Sequence, residues 1–239
     1  MVRALNTPIQ LALNIGLGDD VSFANFYLGD NANIVHALSS LDSNASSQLI
    51  YLWGNFGIGR SHLAKATCKH LNGLNLPSLY VSLKEHQSFT PAILENLEKM
   101  FLVCLDDLDV VLGKREWEEA IMYLFNRIAD AKRNLLITAN VAPVALNCFL
   151  SDLKSRLASC LILQLQGLSD EQKFSALELR SKERGLIMPS EVARFLLRHY
   201  ERNMDQLFAI LDRLELATLR TKRPLTIPFV KSVLEGEFS

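Results

Sequence analysis

The most informative stretch of this chain is Gly54-Asn55-Phe56-Gly57-Ile58-Gly59-Arg60-Ser61, which follows an apolar run at Leu49–Trp53. It has the pattern G-x-x-x-x-G-[K/R]-S between a predicted strand and a predicted helix at His62–Leu71, the context of a phosphate-binding P-loop. Its glycines let the backbone curl so that amides point at phosphate oxygens, and the helix N-terminus adds partial positive charge. The pattern predicts nucleotide binding, and the alternative is a glycine-rich turn without a ligand.

Two side chains of this loop bear on its chemistry. Ser61 is predicted to ligate Mg²⁺. Arg60 stands where a P-loop normally has lysine. Arginine keeps the charge, but its guanidinium is bulkier and forked, so it need not follow the β- and γ-phosphates as lysine does. The loop therefore predicts nucleotide binding without implying efficient hydrolysis.

A second motif, Phe101-Leu102-Val103-Cys104-Leu105-Asp106-Asp107, is a predicted buried strand that ends in two carboxylates. At the carboxyl end of a strand beside the P-loop, Asp106 is predicted to hold Mg²⁺ through water and Asp107 to orient the attacking water. Taken alone, the motif is equally compatible with a strand that runs into an acidic turn. Its position downstream of a P-loop favours the nucleotide site.

Two further polar residues are weaker candidates. Asn140 ends the predicted strand Asn134–Ala139 and could contact a γ-phosphate or its water, although an ordinary turn residue is the simpler interpretation. Arg156 is predicted to lie on a loop, where a lone arginine is usually a solvated surface residue. Neither position indicates a function by its pattern alone.

The N-terminal segment contains Gln10-Leu11-Ala12-Leu13-Asn14-Ile15. One interpretation is an apolar tail that folds back on the body of the protein. The other is a linear peptide that takes its shape on binding, with its Gln in a polar pocket and Leu13 and Ile15 in an apolar one.

The apolar pattern predicts an α/β fold. Five runs of strand length alternate with segments of helical length, which is typical of a parallel sheet covered on both faces. These runs are Leu49–Trp53, Ser78–Leu83, Phe101–Leu105, Asn134–Ala139 and Leu161–Leu165. Thr90-Pro91 indicates a helix start, with proline at the first helical position.

After Gly167 the pattern is helical throughout. Ser169-Asp170-Glu171-Gln172 is a capping box, and the helix that it opens is predicted to stop at Gly185. Further on, one helical face collects Met204, Leu207, Phe208, Leu211 and Leu214. We therefore expect a flexible arm at 1–18, a nucleotide-binding domain at 19–166 and a small helical domain at 167–239.

Composition excludes several classes of protein. The chain has 239 residues with 25 Lys+Arg against 26 Asp+Glu, so bulk charge gives no reason to expect strong direct DNA binding. The longest strongly apolar stretch, Met100–Leu105, is far shorter than the ~20 residues that a membrane span needs. The four cysteines form no CxxC pair and, with no export signal, predict reduced thiols in a cytoplasmic protein.

Together these residues resemble the AAA+ ATPases of the DnaA clade, and within it the regulatory inactivators of the bacterial replication initiator DnaA. The resemblance covers essentially the whole chain. It is carried by Phe23–Asn31, Ile50–Gly54, Gly59–Leu63, Leu136–Thr138, Leu168–Glu171, Phe195–Leu197 and Leu225–Lys231. It implies a five-stranded parallel sheet sandwiched by helices and followed by a small all-α lid domain.

The resemblance also implies a cofactor and its site. Bound ADP, with ATP possible, and Mg²⁺ are expected. The family's sensor-2 arginine falls on Asp205 here, and Arg202, one turn earlier, could substitute for it. The implied nucleotide-binding residues are Phe26, Gly54, Gly57, Ile58, Gly59, Arg60, Ser61, His62 and Arg202, and the implied Mg²⁺ ligands are Ser61 and Asp106.

For partners, the resemblance implies DnaA and the sliding clamp, the β subunit of DNA polymerase III, with self-association. Arg156 maps onto the arginine finger, which acts in trans on a neighbour's γ-phosphate. It joins Asp107 and Asn140 as the third catalytic candidate. Gln10, Leu11, Leu13 and Ile15 look like a clamp-binding motif. The chain ends where DnaA would continue into a helix-turn-helix domain, which argues against direct origin binding.

Three functions compete at this point. The first is a negative regulator that docks on the DNA-loaded clamp and makes DnaA hydrolyse its ATP. The second is an autonomous AAA+ ATPase that works as a motor or loader in replication, favoured by the retained Asp106-Asp107 pair. The third is a DnaA-like module that recruits replication proteins without catalytic consequence.

Overall fold

The structure, a computed structural model, describes residues 21–43, 46–200 and 203–236. It divides into two units. The first comprises the described residues up to Phe23 together with Asn33–Gly54 and Arg60–Gln164, and the second comprises Ala24–Ala32, Asn55–Gly59 and the residues from Leu165 onward. The predicted clamp-binding residues Gln10, Leu11, Leu13 and Ile15, and also Arg202, lie outside the described residues.

The first unit is built on a five-stranded parallel sheet, which confirms the predicted fold class. Its strands are β1 (Leu49–Trp53), β2 (Ser78–Ser82), β3 (Leu102–Asp106), β4 (Asn134–Ala139) and β5 (Leu161–Gln164). The order across the sheet is β2-β3-β4-β1-β5. In this register Tyr51 of β1 pairs with Ile137 on one side and Ile162 on the other. Each predicted strand is present, with its ends within one residue of the prediction.

The strand order places β4 between β1 and β3. The carboxyl end of β3 nevertheless lies beside the P-loop sequence, as expected, since Asp107 pairs with Arg60 at 3.3 Å. Parallel strands are joined by crossovers, so neighbours in sequence need not be neighbours in the sheet. The carboxyl ends of β3 and β4 still share one edge of the sheet, and this brings Asp106 next to the end of β4.

Helices cover this sheet, in which every residue of β3 and β4 is buried and the edge strand β5 is mostly exposed. They are α1 (Ala32–Ser39), α2 (Arg60–Gly73), α3 (Arg115–Asp130) and α4 (Ser151–Ala158). Residues of α3 pack in one cluster with Val103, Leu105 and Ile137 of the sheet. The helix predicted after Thr90 is only a turn of 3-10 helix at Pro91–Leu94. Thr90 makes no side-chain cap there, and the backbone is extended again at Glu95.

The second unit is helical over its described residues from Leu165 onward, as predicted. Its helices are α5 (Asp170–Glu183), α6 (Ser190–His199), α7 (Met204–Thr221) and α8 (Ile227–Leu234). The capping box is confirmed, because the Ser169 side chain accepts from the Gln172 amide while Gln172 accepts from the Ser169 amide. Gly185, with φ of +67°, follows the end of α5. The predicted face of α7 is confirmed, with Met204, Leu207, Leu211 and Leu214 buried.

Within the described ranges, no helix has the length and apolarity that would let it cross a bilayer.

All four cysteines are free thiols. Cys68 and Cys104 are buried, while Cys148 and Cys160 are partly buried. Burial raises the pKa of Cys160 to about 12.

Candidate functional site

The P-loop between β1 and α2 has the backbone that its glycines predict. Gly57 has φ of +72° and Gly59 has φ of +102°, a region that L residues rarely adopt. A Cβ on Gly57 would overlap the side-chain amide of Asn203, and one on Gly59 would come within 2.7 Å of the Phe26 ring. Both positions therefore require glycine for conformation and for space.

These features fit a nucleotide phosphate. The loop is followed by the N-terminus of α2, whose first turn contains no acidic residue, so its partial positive charge is not offset there. In the described part of the chain, no three His, Cys, Asp or Glu side chains converge into a metal cage. Mg²⁺ usually binds through one or two carboxylates, water and substrate phosphates. The predicted pair Ser61 and Asp106 is a donor set of that kind.

Asp106 is held at both carboxylate oxygens. It is 1% exposed at the end of β3. The Thr138 hydroxyl donates to its Oδ1 at 2.5 Å, and the Tyr80 hydroxyl donates to its Oδ2 at 2.6 Å. Burial and the neighbouring Asp106 charge raise the pKa of Tyr80 above its usual value, which keeps this hydroxyl protonated as a donor. Each carboxylate oxygen has a second lone pair, so the group remains able to accept from Mg²⁺-bound water.

Asp107 is paired with two cations. Its Oδ1 lies 3.3 Å from Nη2 of Arg60 and its Oδ2 lies 2.8 Å from Nζ of Lys84. The residue is only 2% exposed, and its backbone has φ of +59°. Its amide donates to the Thr138 hydroxyl at 2.9 Å, which fixes this left-handed turn against β4. The carboxylate that was predicted to orient water is thus neutralised within the protein.

The Arg60 guanidinium brings three predicted site residues together. Besides the ion pair with Asp107, its Nη2 donates to Oδ1 of Asn140, and the whole residue is 4% exposed. Nη1 is buried without a hydrogen-bond partner. The Asn140 amide donates to Oδ1 of Asp109 at 2.7 Å. Burial raises the pKa of Asp109, while the Asn140 amide and the Arg60 charge act in the opposite direction.

Other predicted nucleotide contacts have definite surroundings. Nε2 of His62 donates to the Ser22 carbonyl at 2.9 Å. In the second unit, Phe26 lies against Gly59, and Ile58 lies near Gly167. Asp205, the position expected to carry the sensor-2 arginine, lies exposed in the first turn of α7, where its amide donates to the Asn203 cap at 2.9 Å.

Arg156 lies in helix α4, whereas the sequence predicted a loop. The helix buries Leu153 and Leu157, and Arg156 lies between these in sequence with its side chain 39% exposed. Its Nε is 3.5 Å from Asp152, and its Cζ is 6.0 Å from the centre of the Phe125 ring. An exposed i,i+4 ion pair contributes only ~0.3–0.5 kcal/mol, so these contacts hold the guanidinium weakly.

Four residues of this region were not predicted from the sequence. Thr138 and Tyr80 had a usable signal, since each is a hydroxyl residue within an apolar strand and a buried hydroxyl needs a partner. Asn203 could have been recognised as the N-cap of α7. Lys84 had no such signal, because its ion pair depends on a turn after β2 that places it beside the end of β3.

Sequence models of known protein families match two parts of this chain. A sequence model described as the bacterial DnaA ATPase domain matches residues 17–164. A second model, described as the lid domain of Hda, matches residues 170–234. The two matches together cover most of the chain.

Solved structures show the same fold at low identity. Domain III of the Thermotoga maritima replication initiation protein DnaA has a TM-score of 0.79 at 20% identity, with 91% of this chain and 97% of that chain covered. The AMPPCP-bound DnaA from Aquifex aeolicus has a TM-score of 0.70 at 19% identity, with 87% and 69% covered. The Holliday junction branch migration motor RuvB of Thermotoga maritima has a TM-score of 0.59 at 18% identity, with 85% and 68% covered.

Proposed function

This chain belongs to the DnaA-related AAA+ family and is Hda-like in its helical domain, and on that premise we propose that it is a negative regulator of replication initiation. It holds a nucleotide, ADP in the resting state, and stimulates ATP hydrolysis by DnaA through Arg156 in trans. It docks on the DNA-loaded sliding clamp through Gln10, Leu11, Leu13 and Ile15. Self-association and a cytoplasmic location belong to the same proposal.

The observation that carries the proposal is the buried pair between Arg60 and Asp107. Hydrolysis of a bound triphosphate uses a P-loop cation on the phosphates and a polar group that orients the attacking water. Here the P-loop cation and the candidate water-orienting carboxylate neutralise each other, and Asn140 accepts from the same nitrogen. This arrangement supports a protein that binds nucleotide and turns it over slowly.

The phosphate-binding loop itself supports nucleotide binding. Its glycines at 57 and 59 have the positive φ angles of a tightly curled loop, and the similar DnaA from Aquifex aeolicus was solved with AMPPCP. Mg²⁺, when bound, neutralises phosphate charge. Ser61 and Asp106 would hold it, and Asp106 is kept in place by Thr138 and Tyr80.

The setting of Arg156 supports action on another molecule. Its side chain is partly exposed on a helix whose apolar face is anchored in the core, and its own ion pair is weak. A guanidinium placed this way can turn to a neighbour's γ-phosphate at little cost. Such a charge stabilises the transition state of phosphoryl transfer, and arginine fingers supply ~10³–10⁵ in rate.

The decisive experiment measures ATP hydrolysis by DnaA with the clamp loaded on DNA. Arg156→Ala is expected to abolish stimulation while the protein still folds and binds the clamp. Arg133→Ala, which removes the charge of another arginine that is exposed in the same unit, is the matched control and is expected to stimulate normally. Full stimulation by Arg156→Ala would discard the finger assignment.

A second experiment separates the regulator from an autonomous motor. The regulator is expected to hydrolyse ATP slowly in the absence of DnaA. Brisk hydrolysis by the isolated protein that Asp107→Asn abolishes would favour the motor or loader. Clamp docking is tested separately, because Gln10→Ala with Leu11→Ala is expected to remove clamp binding without changing the thermal stability.

A further inference from the structure

The first unit buries one more carboxylate, that of Glu118, which is not among the residues assigned to the nucleotide site. Glu118, in the first turn of α3, is completely buried. Its Oε1 accepts from the amides of Gly113 at 2.7 Å and Phe149 at 2.9 Å, and its Oε2 accepts from the amide of Leu150 at 2.7 Å. Three charge-assisted hydrogen bonds from backbone amides offset part of the cost of burying this carboxylate.

One of these amides, that of Leu150, belongs to the start of α4, and Phe149 directly precedes it. Leu150 is the N-cap residue of that helix and makes no side-chain cap hydrogen bond. The first amides of a helix lack partners within the helix and attract negative charge. Glu118 therefore supplies, from α3, a charged acceptor for the N-cap amide of α4. Its negative charge, after burial, is also a cause of the raised pKa of Cys148, about 11, in the same segment.

Helix α3 supports α4 at a second point. Phe125 lies seven residues after Glu118 and so on the same face of α3, and its ring lies under the Arg156 guanidinium at 6.0 Å. The N-terminus of α4 and its Arg156 thus rest on two side chains of one rigid helix. Lys154 ties the preceding segment to α4, since its Nζ donates to the Leu146 carbonyl at 2.9 Å.

We propose that Glu118 is the positioning residue of Arg156: by capping α4 from α3, it fixes the direction in which the guanidinium is offered to a neighbour's triphosphate. The inference rests on the proposed function, because it needs Arg156 to act on another molecule. Its consequence is specific. Loss of the cap lowers the rate that Arg156 can support and leaves docking unchanged.

The test compares Glu118→Gln with wild type in the full chain. The amide side chain is isosteric but directs an N–H group at a backbone N–H, so at least one of the three hydrogen bonds is lost. The Leu150 amide is expected to exchange its hydrogen about tenfold faster. The maximal DnaA hydrolysis rate is expected to fall about 10–100-fold. The concentration of this protein that gives half-maximal stimulation is expected to stay within about twofold.

Two variants complete the design. Glu116→Gln makes the same change on an exposed residue of the same helical turn and is expected to match wild type in every measurement. Glu118→Asp keeps the charge but withdraws it by one methylene, and an intermediate loss of maximal rate is expected. If Glu118→Gln does not fold, the aspartate variant carries the test.

The outcomes separate the possible roles. A maximal rate unchanged within twofold, with faster exchange at Leu150, would overturn the positioning role. A higher half-maximal concentration with an unchanged maximal rate would also overturn it. That result is what partial unfolding produces, because unfolding lowers the amount of active protein without changing the rate that each active molecule supports. If Arg156→Ala still stimulates fully, the proposed function fails and this inference fails with it. If Arg156→Ala abolishes stimulation and Glu118→Gln does not reduce it, only the present inference fails.

Discussion

The ion pair between Arg60 and Asp107 is predicted to couple these two side chains strongly, so that removing either one destabilises the protein. The two side chains are 4% and 3% exposed, and their nearest atoms are 3.3 Å apart. At an effective dielectric constant of about 20, two unit charges at that distance attract by about 5 kcal/mol, and the desolvation of both groups offsets much of this. Removing one partner leaves the other charge buried and typically costs ~3–5 kcal/mol.

The two single variants are not expected to cost the same. After Arg60→Met, Asp107 still has Lys84 at 2.8 Å, although that lysine is half exposed and its attraction is partly screened. After Asp107→Asn, the buried guanidinium keeps the neutral acceptor Asn140 and the charge of Asp109, with which it forms no direct ion pair. We therefore expect Arg60→Met to lower the free energy of unfolding by about 3 kcal/mol, the low end of this range, and Asp107→Asn to lower it by more.

A double-mutant cycle in urea unfolding measures the coupling. If the charges interact directly, Arg60→Met with Asp107→Asn costs less than the sum of the singles by about 2 kcal/mol. The exposed i,i+4 pair of Arg115 and Glu119 is the control, with an expected coupling of about 0.3–0.5 kcal/mol. Additivity of the Arg60 and Asp107 effects within ~0.5 kcal/mol would refute the reasoning.

Three further perturbations follow from the site. Gly57→Ala is expected to destabilise the fold by at least about 1–2 kcal/mol and to weaken nucleotide binding. Adding Asn203→Ser makes room for the new methyl group and keeps an N-cap, so it should restore part of both losses in thermal melting and nucleotide titration. Thr138→Val removes the hydroxyl that serves Asp106 and should cost about 2–4 kcal/mol in urea unfolding, whereas Thr138→Ser should cost less. Asp109→Asn should be more stable than wild type at pH 7, because the raised pKa of the native Asp109 carboxyl makes its ionisation cost folding free energy. This cost exists only above the unfolded pKa of ~3.9, so the difference in stability should disappear below about pH 4.

The fold could be predicted because its signals are local. Each strand is an apolar run of the right length, and the capping box at Ser169 and the glycine at 185 mark the two ends of α5. The strand order could not be read in the same way, because it depends on which crossover passes over which strand. This is why β4 lies between the P-loop strand and the strand of Asp106.

The site was predictable in its residue types and less so in their contacts. Asp106 ends one buried strand, Asp107 follows it and Asn140 follows the next strand, so parallel strands bring these residues to one edge of the sheet. Where a long side chain points is decided by all of its neighbours, and Arg60 turns towards Asp107 and Asn140 in this structure. The hydrogen bond from the Leu150 amide to Glu118 could not be predicted, because the two residues lie 32 positions apart in sequence.

The substitution of arginine for the P-loop lysine gains physical meaning from these contacts. A lysine ammonium is a compact charge, whereas the planar guanidinium presents a fork of donors and can serve two acceptors at once. At position 60 one nitrogen reaches both Asp107 and Asn140, the two residues that a hydrolytic site would direct at a γ-phosphate. Self-pairing removes the cation, the carboxylate and the amide from such a task together. These contacts, together with the position of Arg156 on a partly exposed helix, are the reason for proposing that the protein acts on a partner's nucleotide rather than on its own.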